Sequence, residues 1–382
     1  MSLPIFDRIS RELDERRALH LLRAIPEPPG TSPKRIDLAT NSYLALHDNA
    51  AVTAEAGRLA AGVAYGNLAS RLIRNTSPLA RELEGELAQW KNAGAALLFN
   101  SGYAANIGIL QAIATRSTGI FADRLNHASI IDGIRLSGAK LARYRHNDMA
   151  DLARLLAASA APEKIIVTDT VFSMDGDRAP LADIVECAKK HNACVMVDEA
   201  HATGILGANG SGLAEESGVA AAIDIRMGTL SKAVAGLGGF FAGSALLRDY
   251  LVNHSRSLIY STGLPASVIA FDLAAVRYLR ANPQLGATLL ARAASFRDKL
   301  HGLGFDTLAS TTQIVPCLVS DDAEALALSA FLARRGIDAP AVRPPTVPPH
   351  TARIRFSLTL AFTPDQETAV IAALADWKSG HG

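Results

Sequence analysis

Two short stretches carry residues whose types and spacing could do chemistry. The run VMVDEAHATG (195–204) begins with three apolar residues and then reaches Asp198, with His201 three positions later. The run MGTLSKAVAG (227–236) holds Lys232 in a loop of small residues, directly after another apolar run. Apolar runs of this kind are typical of buried parallel strands, and such sheets bind ligands at their carboxyl ends. A carboxylate and an amine are therefore expected to face one crevice.

A carboxylate and an amine at two strand ends suggest pyridoxal phosphate (PLP) chemistry. Asp198 would pair with the protonated pyridine nitrogen of the cofactor, and Lys232 would form the Schiff base with its aldehyde. Taken singly, a strand-capping Asp and a solvated surface Lys are the commoner interpretations, since both residue types are mostly exposed. The PLP hypothesis therefore depends on what the other strand ends supply.

Composition excludes several classes of protein. The chain has 382 residues, of which 49% are hydrophobic and 20% charged, which is typical of a globular protein and long enough for two domains. The formal net charge is +1 without a basic run, so nucleic-acid binding has no electrostatic basis. No apolar stretch reaches the roughly 18 residues of a membrane span, and acidic residues near the N-terminus argue against a targeting segment. Three cysteines without CxxC spacing fit a cytoplasmic protein without disulfides or zinc.

The order of apolar patterns predicts the fold. From about residue 94 strand and helix patterns alternate, which predicts an α/β fold with a mostly parallel sheet covered on both faces. We expect an N-terminal helix and connecting segment (1–45) packed on a small domain, a large domain (46–280), and the small α+β domain itself (281–382). The seven strands predicted for the large domain are 95–100, 119–122, 140–144, 164–169, 194–198, 221–227 and 238–243.

Small and polar residues follow other predicted strand ends. Ser101, Gly102 and Tyr103 open a helix whose free backbone N–H groups and dipole favour an anion such as the cofactor phosphate. An ordinary glycine turn into a helix would show the same pattern. Thr229 and Ser231 would add hydroxyl donors to the same phosphate.

Three further side chains would complete a PLP site. His127, in DRLNHASI, would stack its ring on the cofactor, although a polar residue at a helix N-terminus is the commoner interpretation. Ser173 and His201 would form hydrogen bonds with the phenolic oxygen. A DExH grouping could instead bind a metal ion, but no other His or Cys stands nearby with ligand spacing, so we expect no metal. The run GLGGFFAG (236–243) lacks GxGxxG spacing and is no dinucleotide loop.

Together the motifs resemble the α-oxoamine synthase family of fold-type I PLP enzymes. SGYAAN, DRLNHASI, VFSMDGD, VDEAHATG, TLSK and YSTGLP stand in the family's order and at its spacing, from about residue 10 to 375. The resemblance implies a fold-type I transferase, a PLP-dependent acyltransferase that joins an amino acid to an acyl thioester.

One C-terminal segment narrows the resemblance. VRPPTVPPHTARIRFSLT (342–359) is most similar to the branch that condenses L-alanine with a pimeloyl thioester and releases CO2 in biotin synthesis. The thioester would be that of CoA or of a carrier protein. Sister enzymes that use glycine or serine share the core motifs and stay an alternative.

The resemblance also implies roles for individual residues. The expected catalytic residues are Lys232, His127, Asp198 and His201. Together with the inferences above, the expected cofactor-binding residues are Gly102, Tyr103, His127, Ser173, Asp198, His201, Thr229, Ser231, Lys232, Ser261 and Thr262. Ser261 and Thr262 would reach the phosphate of a neighbouring subunit, which implies a homodimer with shared active sites. The expected substrate-binding residues are Arg23, Asn41, His127, Arg343, Thr346 and Arg355, with Arg355 clamping the amino-acid carboxylate.

Two departures from the family pattern fall near the expected acyl-chain entrance. The family's glycine-rich run is GNLASR (66–71) here, with Leu68 and Ala69 in place of small flexible residues. Ala80 stands where a histidine is usual.

Overall fold

The computed structural model describes residues 3–19, 21–23, 25, 35–63, 66–74 and 77–381. The helices are α1 (Pro4–Ala18), α2 (Ala50–Ala60), α3 (Leu79–Trp90), α4 (Gly102–Ile113), α5 (Ala128–Ser137), α6 (Met149–Ala157), α7 (Leu181–His191), α8 (Leu213–Glu216), α9 (Ala245–His254), α10 (Arg256–Ile259), α11 (Ala266–Ala281), α12 (Gln284–Gly302), α13 (Asp322–Arg334) and α14 (Pro364–His381). The strands are β1 (Ile36–Asp37), β2 (Ala95–Phe99), β3 (Thr118–Asp123), β4 (Lys140–Tyr144), β5 (Glu163–Asp169), β6 (Cys194–Asp198), β7 (Ile225–Thr229), β8 (Gly239–Gly243), β9 (Ile314–Ser320), β10 (Ile337–Asp338), β11 (Ala341–Val342) and β12 (Ala352–Ser357).

A seven-stranded sheet forms the centre of the larger unit. Its strand order is β2-β8-β7-β6-β5-β3-β4, and all strands run parallel except β8, which is antiparallel to both neighbours. This confirms the predicted fold class and the mostly parallel seven-stranded sheet. The carboxyl ends of the parallel strands consequently meet at one edge, as a crevice-type ligand site requires.

The two faces of the sheet bury separate apolar clusters. Ile165 and Val167 of β5 join the cluster that contains α4 and α5, while Ile166 joins the cluster on the opposite face. Neighbouring β6 alternates in the same way, with Met196 on one face and Val197 on the other. Successive side chains of a strand point to opposite faces of the sheet, and both faces are buried here. That is why these strands are continuous apolar runs in the sequence.

One predicted strand begins in the wrong place. The prediction of 221–227 is wrong at its start, because Ala220–Ala222 form a 3-10 turn and β7 begins at Ile225. Alanine is depleted in strands. Asp224 sets the real start, since its backbone N–H and its carboxylate both bond to Val195 at the head of β6, at 3.1 and 2.8 Å.

The C-terminal part of the chain forms a smaller α+β unit. Its three-stranded antiparallel sheet has the order β11-β12-β9, and α13 packs against it. The two-residue strand β1 pairs in parallel with β10, so the segment that follows the N-terminal helix is tied to this unit. Strand β12 places Arg353 and Arg355 beside the larger unit, where the site lies.

Helix α1 buries no side chain in this chain, and apolar Phe6 and Leu13 are exposed on it. Its packing on the small domain and the three domain boundaries stay predictions. Among the residues described, none of the helices combines the length and hydropathy that a bilayer crossing requires.

Candidate active site

Five segments that follow sheet strands surround one open cavity. They come after β2, β3, β5, β6 and β7, in agreement with the expected crevice. The predicted residues that line the cavity are Gly102, Tyr103, His127, Asp198, His201, Thr229, Ser231 and Lys232. Asn106, Ser129 and Asp169 line it as well.

Lys232 lies in a loop that closes on itself directly after β7. The N–H of Leu230 donates to the carbonyl of Gly238 at 2.9 Å, and the N–H of Ala235 donates to the carbonyl of Lys232 at 2.9 Å. The Lys232 Nζ lies 2.7 Å from His201 Nε2. Burial lowers the pKa of Lys232 to about 8, although nearby Asp198 opposes the shift. The amine is thus held close to the point where it becomes a free base.

His201 links this amine to Tyr43, which comes from the N-terminal part of the chain. The Tyr43 hydroxyl lies 2.6 Å from His201 Nδ1 and donates to Asn41 Oδ1 at 3.1 Å. Both contacts are satisfied together when the single phenolic hydrogen goes to Asn41 and His201 Nδ1 carries a hydrogen that Tyr43 accepts. His201 Nε2 is then the acceptor for Lys232. Burial, together with the Lys232 charge, holds the pKa of His201 well below its usual range, so the ring is neutral.

Asp198 ends β6 and is 3% exposed. Its Oδ2 accepts from Asn106 Nδ2 at 2.8 Å, and its Oδ1 accepts from the N–H of Ala200 at 2.8 Å. Asn106 is fully buried in α4 and also donates to Ser129 Oγ at 2.9 Å. These bonds fix the carboxylate in one orientation at the wall of the cavity.

Asp169 ends the adjacent strand β5 and stands beside Asp198 in the register. Its Oδ2 accepts from the backbone N–H of His127 at 2.7 Å. Burial, and then the neighbouring Asp198 charge, raise the pKa of Asp169 well above its usual range. His127 also accepts from the N–H of Ser129 at 3.3 Å, so it caps α5 while its ring faces the cavity. Both sequence interpretations of His127 are therefore compatible with its position.

The N-terminus of α4 and the start of the Lys232 loop form an anion cradle. Ser101 Oγ caps the helix by accepting from the N–H of Ala104 at 3.0 Å. A Cβ on Gly102 would lie 3.3 Å from Thr229 Cβ, a tight contact, so glycine lets the two segments meet this closely without a shift of either one. Thr229 Oγ1 lies 2.8 Å from Ser231 Oγ. Free N–H groups and two hydroxyls converge here, as phosphate binding requires.

Arg355 reaches this region from the smaller unit. Its Nε donates to the carbonyl of Ser173 at 2.6 Å, and its Nη2 donates to Asn41 Oδ1 at 3.1 Å. Asn41 therefore connects Arg355 with Tyr43 and, through it, with His201. Arg355 is 5% exposed, and its charge also lowers the pKa of Lys232.

The remaining predicted residues lie around this centre. Ser173 does not line the cavity, and its carbonyl rather than its hydroxyl holds Arg355. Arg23 Nη2 donates to Thr346 Oγ1 at 3.0 Å. Thr346 lies in a turn with Arg343, because its N–H donates to the Arg343 carbonyl. Ser261 and Thr262 do not line the cavity of their own chain.

The acyl-chain departures have different environments. Leu68 is 84% exposed, so its side chain is available at the surface. Ala80 is part of α3 and is buried in the apolar core. The loop position of Leu68 is therefore the one that offers a side chain to solvent.

Sequence reasoning missed Tyr43, Asn106 and Asp169. Asn106 is the last residue of SGYAAN and lies one turn inside α4, so the motif contained it. Asp169 closes an apolar strand in the same way as Asp198, which was a usable signal. Tyr43 had none, because only the folded chain brings it to His201.

The DExH grouping does not converge on one point. Asp198 and His201 face the cavity, whereas Glu199 turns to the opposite side and pairs with Lys91 at 2.7 Å. A metal ion could not collect these three side chains without breaking that buried ion pair.

The donor set fits PLP. A cradle for an anion, a fixed carboxylate and an amine of lowered pKa line the same cavity. Asn106 Oδ1 is buried there without a hydrogen-bond partner among the described residues, so the cavity wall still has an acceptor to offer. These are the three anchoring points that a phosphorylated pyridine aldehyde needs.

Comparison with known proteins identifies relatives of the chain. The profile of the aminotransferase class I and II family matches residues 33–374. A putative 8-amino-7-oxononanoate synthase of Geobacillus kaustophilus is 47% identical over 342 residues, covering 89% of this chain and 88% of the relative. The 8-amino-7-oxononanoate synthase of Citrifermentans bemidjiense is 44% identical over 368 residues, covering 93% and 94%.

Solved structures agree with this grouping. Sphingomonas wittichii serine palmitoyltransferase superposes with a TM-score of 0.92 at 29% identity, covering 100% of this chain and 98% of that one. The 8-amino-7-oxononanoate synthase of Francisella tularensis superposes with a TM-score of 0.77 at 26% identity, covering 91% and 98%. The chain therefore belongs to the aminotransferase class I and II family of PLP-dependent fold-type I enzymes, and within it to the α-oxoamine synthases that include the 8-amino-7-oxononanoate synthases.

Proposed function

We propose that this enzyme condenses L-alanine with a pimeloyl thioester, giving 8-amino-7-oxononanoate, CO2 and the free thiol, as a step of biotin synthesis. The relatives that share 44–47% of its sequence carry that name. The observation that carries the chemistry is the amine of Lys232, held 2.7 Å from a neutral histidine and facing the same cavity as Asp198.

Each wall of the cavity has a part in holding the cofactor. Bound PLP supplies an electron sink that stabilises negative charge on the amino-acid Cα. Gly102, Thr229 and Ser231 would bind its phosphate, and Asp198 would hold its pyridine nitrogen protonated. Lys232 would attack its aldehyde as a free amine.

Proton transfer is the task of Lys232 and His201. The Lys232 Nζ would be the base that takes the Cα proton of the bound amino acid, and a pKa of about 8 suits that task near neutral pH. His201 Nε2 accepts from this amine and so orients it. His127 and His201, which both line the cavity, would polarise the keto oxygen while CO2 leaves.

Substrate orientation is the task of Arg355. A guanidinium binds a carboxylate through two parallel N–H donors. Its bonds to the Ser173 carbonyl and to Asn41 hold the group in place before the amino acid arrives. Arg23, Arg343 and Thr346 would line the acyl side.

A matched substrate panel tests the proposal. The protein is loaded with PLP and titrated with L-alanine, glycine or L-serine, and each amino acid is then assayed with pimeloyl-CoA and with a pimeloyl carrier protein. We expect alanine to give the strongest spectral change and a product with the mass of 8-amino-7-oxononanoate. A preference for glycine or serine would contradict the assignment.

A serine palmitoyltransferase-like activity is the second candidate, because that enzyme superposes with a TM-score of 0.92. Its serine substrate and long acyl chain belong in the same panel. Turnover of serine with palmitoyl-CoA, and none of alanine with pimeloyl thioesters, would favour it.

We propose that two copies share their sites. Ser261 and Thr262 do not line the cavity of their own chain. The bridge between Ser70 and Thr262 is flanked in the chain by the exposed apolar residues Leu68, Ile73 and Tyr260. An apolar surface of this kind is typical of a subunit interface.

Mixing inactive chains tests the shared sites. A Lys232→Ala chain mixed with a Ser261→Ala/Thr262→Ala chain should regain activity, since each mixed dimer would contain one intact site.

The three cysteines of the chain are free thiols, which supports a cytoplasmic location.

A further inference from the structure

A histidine outside the cavity joins two carboxylates. His146 Nδ1 lies 3.1 Å from Asp123 Oδ1, and His146 Nε2 lies 2.8 Å from Asp177 Oδ2. Asp123 is fully buried at the end of β3, and Asp177 is buried on the opposite side of the ring. Ionised carboxylates only accept hydrogen bonds, so both ring nitrogens must donate. The geometry therefore favours a charged imidazolium, in which both ring nitrogens donate.

Titration agrees with this geometry. Burial works against the charge, but the hydrogen bonds with Asp123 and Asp177 outweigh it and raise the pKa of His146 to about 10. These two carboxylates are the charged groups that face the ring. Its other neighbours are the Phe172 ring, which stands edge-on with centroids 4.4 Å apart, and the amide of Asn147. His146 is thus charged throughout the neutral range.

Asp177 belongs to a hairpin turn, residues 171–178, that lies between the sheet and the smaller unit. An isolated bridge between its end residues closes the turn, and the N–H of Phe172 donates to the carbonyl of Asp177 at 3.1 Å. Asn147 strengthens the same attachment, since its side chain donates to Asp177 Oδ2 at 2.9 Å and its backbone N–H donates to Asp123 Oδ2 at 2.9 Å.

The opposite side of this hairpin turn holds the arginines of β12. The carbonyl of Ser173 accepts from Arg355 Nε, and Asp175 forms an ion pair with Arg353. The tip touches the smaller unit as well, because the carbonyl of Gly176 accepts from Thr312 Oγ1 at 2.8 Å. A side chain at Gly176, whose φ is +69°, would collide with the backbone of the smaller unit. The turn is therefore a fitted spacer between His146 and Arg355.

We propose that His146 is a positioning residue for the amino-acid substrate, because its charged bridge from Asp123 to Asp177 fixes the hairpin turn whose Ser173 carbonyl orients Arg355. This inference rests on the proposed function, in which Arg355 binds the substrate carboxylate. Misplacing a substrate-binding group by about 1 Å can cost up to about 100-fold. The cost should fall on amino-acid binding rather than on the chemistry at Lys232.

His146→Gln tests the proposal in the PLP-loaded enzyme. The dissociation constant of L-alanine is measured from the absorbance change of the bound cofactor, beside KM, kcat and the thermal midpoint. We expect the dissociation constant and the KM for alanine to rise about 10- to 100-fold, with kcat and cofactor affinity little changed. His191→Gln, at the end of α7 and away from the turn, is the matched control and should change none of these values.

Asp177→Asn supplies a readout that a purely structural role would not move. With one carboxylate gone, the pKa of His146 falls toward its ordinary value, and the ring loses its charge as the pH rises through the neutral range. The alanine dissociation constant of the variant, divided by that of the wild type at each pH, should therefore rise with pH. This variant also decides the question if His146→Gln does not fold.

The outcomes distinguish a failure of this inference from a failure of the proposed function. Wild-type alanine affinity in both variants, or equal losses in kcat, cofactor binding and alanine binding, would overturn the positioning role. Arg355→Ala serves as the reference for the proposed function. If it binds alanine normally, the role of Arg355 itself is wrong; if it alone loses alanine affinity, only the inference about His146 fails.

Discussion

Two lysines, Lys91 and Lys232, lie close to the end of β6, and their hydrogen-bond partners differ. Lys91 is 1% exposed, and its Nζ donates to Glu199 Oε2 at 2.7 Å, to Thr203 Oγ1 at 2.9 Å and to the carbonyl of Ser211. These acceptors use every hydrogen of the ammonium group. Burial lowers the pKa of Lys91, but the Glu199 carboxylate opposes this shift. Lys91 is therefore a structural cation.

Lys232 has a different set of neighbours. Its Nζ meets one neutral acceptor, His201 Nε2, and otherwise faces an open cavity. No carboxylate within the described residues forms an ion pair with it. The comparison teaches that burial alone does not make a lysine reactive. A reactive lysine also needs surroundings that do not hold its third proton.

Replacing each lysine in turn tests whether one serves catalysis and the other stability. Lys232→Ala should have the largest effect, a loss of kcat. We expect kcat to fall by roughly 10³-fold or more, because the nucleophile and base are removed together. The visible absorbance of the lysine-bound cofactor should disappear while the thermal midpoint changes little. Steady-state assays and absorbance spectra measure this, with Lys189→Ala as the exposed control. Retained turnover would refute the role of Lys232.

Lys91→Met should damage stability instead of chemistry. The variant leaves the Glu199 carboxylate buried without its partner, which typically costs about 3–5 kcal/mol. Urea unfolding measures the loss. The double variant Lys91→Met/Glu199→Met should recover part of it, since no unpaired charge remains.

The matched surface pair sharpens this prediction. Lys189→Met removes an exposed pair with Glu186 and should cost roughly 0–1 kcal/mol. The Lys91→Met protein that stays folded should still bind PLP. Lost cofactor binding at full stability would reverse the assignments of the two lysines.

The pH dependence of cofactor attachment distinguishes the two amines in the wild type. The pKa of Lys232 is lowered from 10.5 to about 8, so its neutral, nucleophilic form appears as the pH rises through about 8. The rate at which apoprotein takes up PLP should increase over that range and then level off. Rapid-mixing absorbance measurements check this. A midpoint near 10.5 would show that the surroundings do not lower the pKa of this amine.

Tyr43→Phe should lower kcat far less than Lys232→Ala does. It removes the acceptor of His201 Nδ1 and a donor to Asn41, which leaves buried polar groups unpaired at a cost of about 1–3 kcal/mol. Because His201 loses the partner that selects its tautomer, kcat should fall by about tenfold. Tyr250→Phe, on exposed α9, is the control. An unchanged kcat would place Tyr43 outside the proton network.

Much of the site was predictable from local sequence. Asp198 and Lys232 each follow an apolar run that forms a parallel strand, and parallel strands have only one carboxyl edge, so both residues had to meet there. Gly102, Thr229 and His201 follow strand ends in the same way. Asp169 shows the same pattern but was not predicted, and β7 was predicted to begin too early, in an alanine run.

Other parts of the site come from contacts between distant segments. Tyr43 reaches His201 across 158 positions, and Asn106 reaches Asp198 across 92. Neither pairing follows from periodicity, which reports only which face of an element is apolar. Which proton His201 carries depends on Tyr43, so the tautomer was also beyond local inference.

The amino-acid chain by itself settled the sheet, the edge where the site lies and the chemical types of its main groups, because strand periodicity and strand-end residues are local properties. Folding decided which of two buried lysines faces the cavity and which pairs with Glu199. Asp198, Glu199 and His201 lie within four consecutive positions, yet Glu199 turns to Lys91 while the others face the cavity. That division depends on the packed surroundings of each side chain. The same surroundings set the pKa of each lysine.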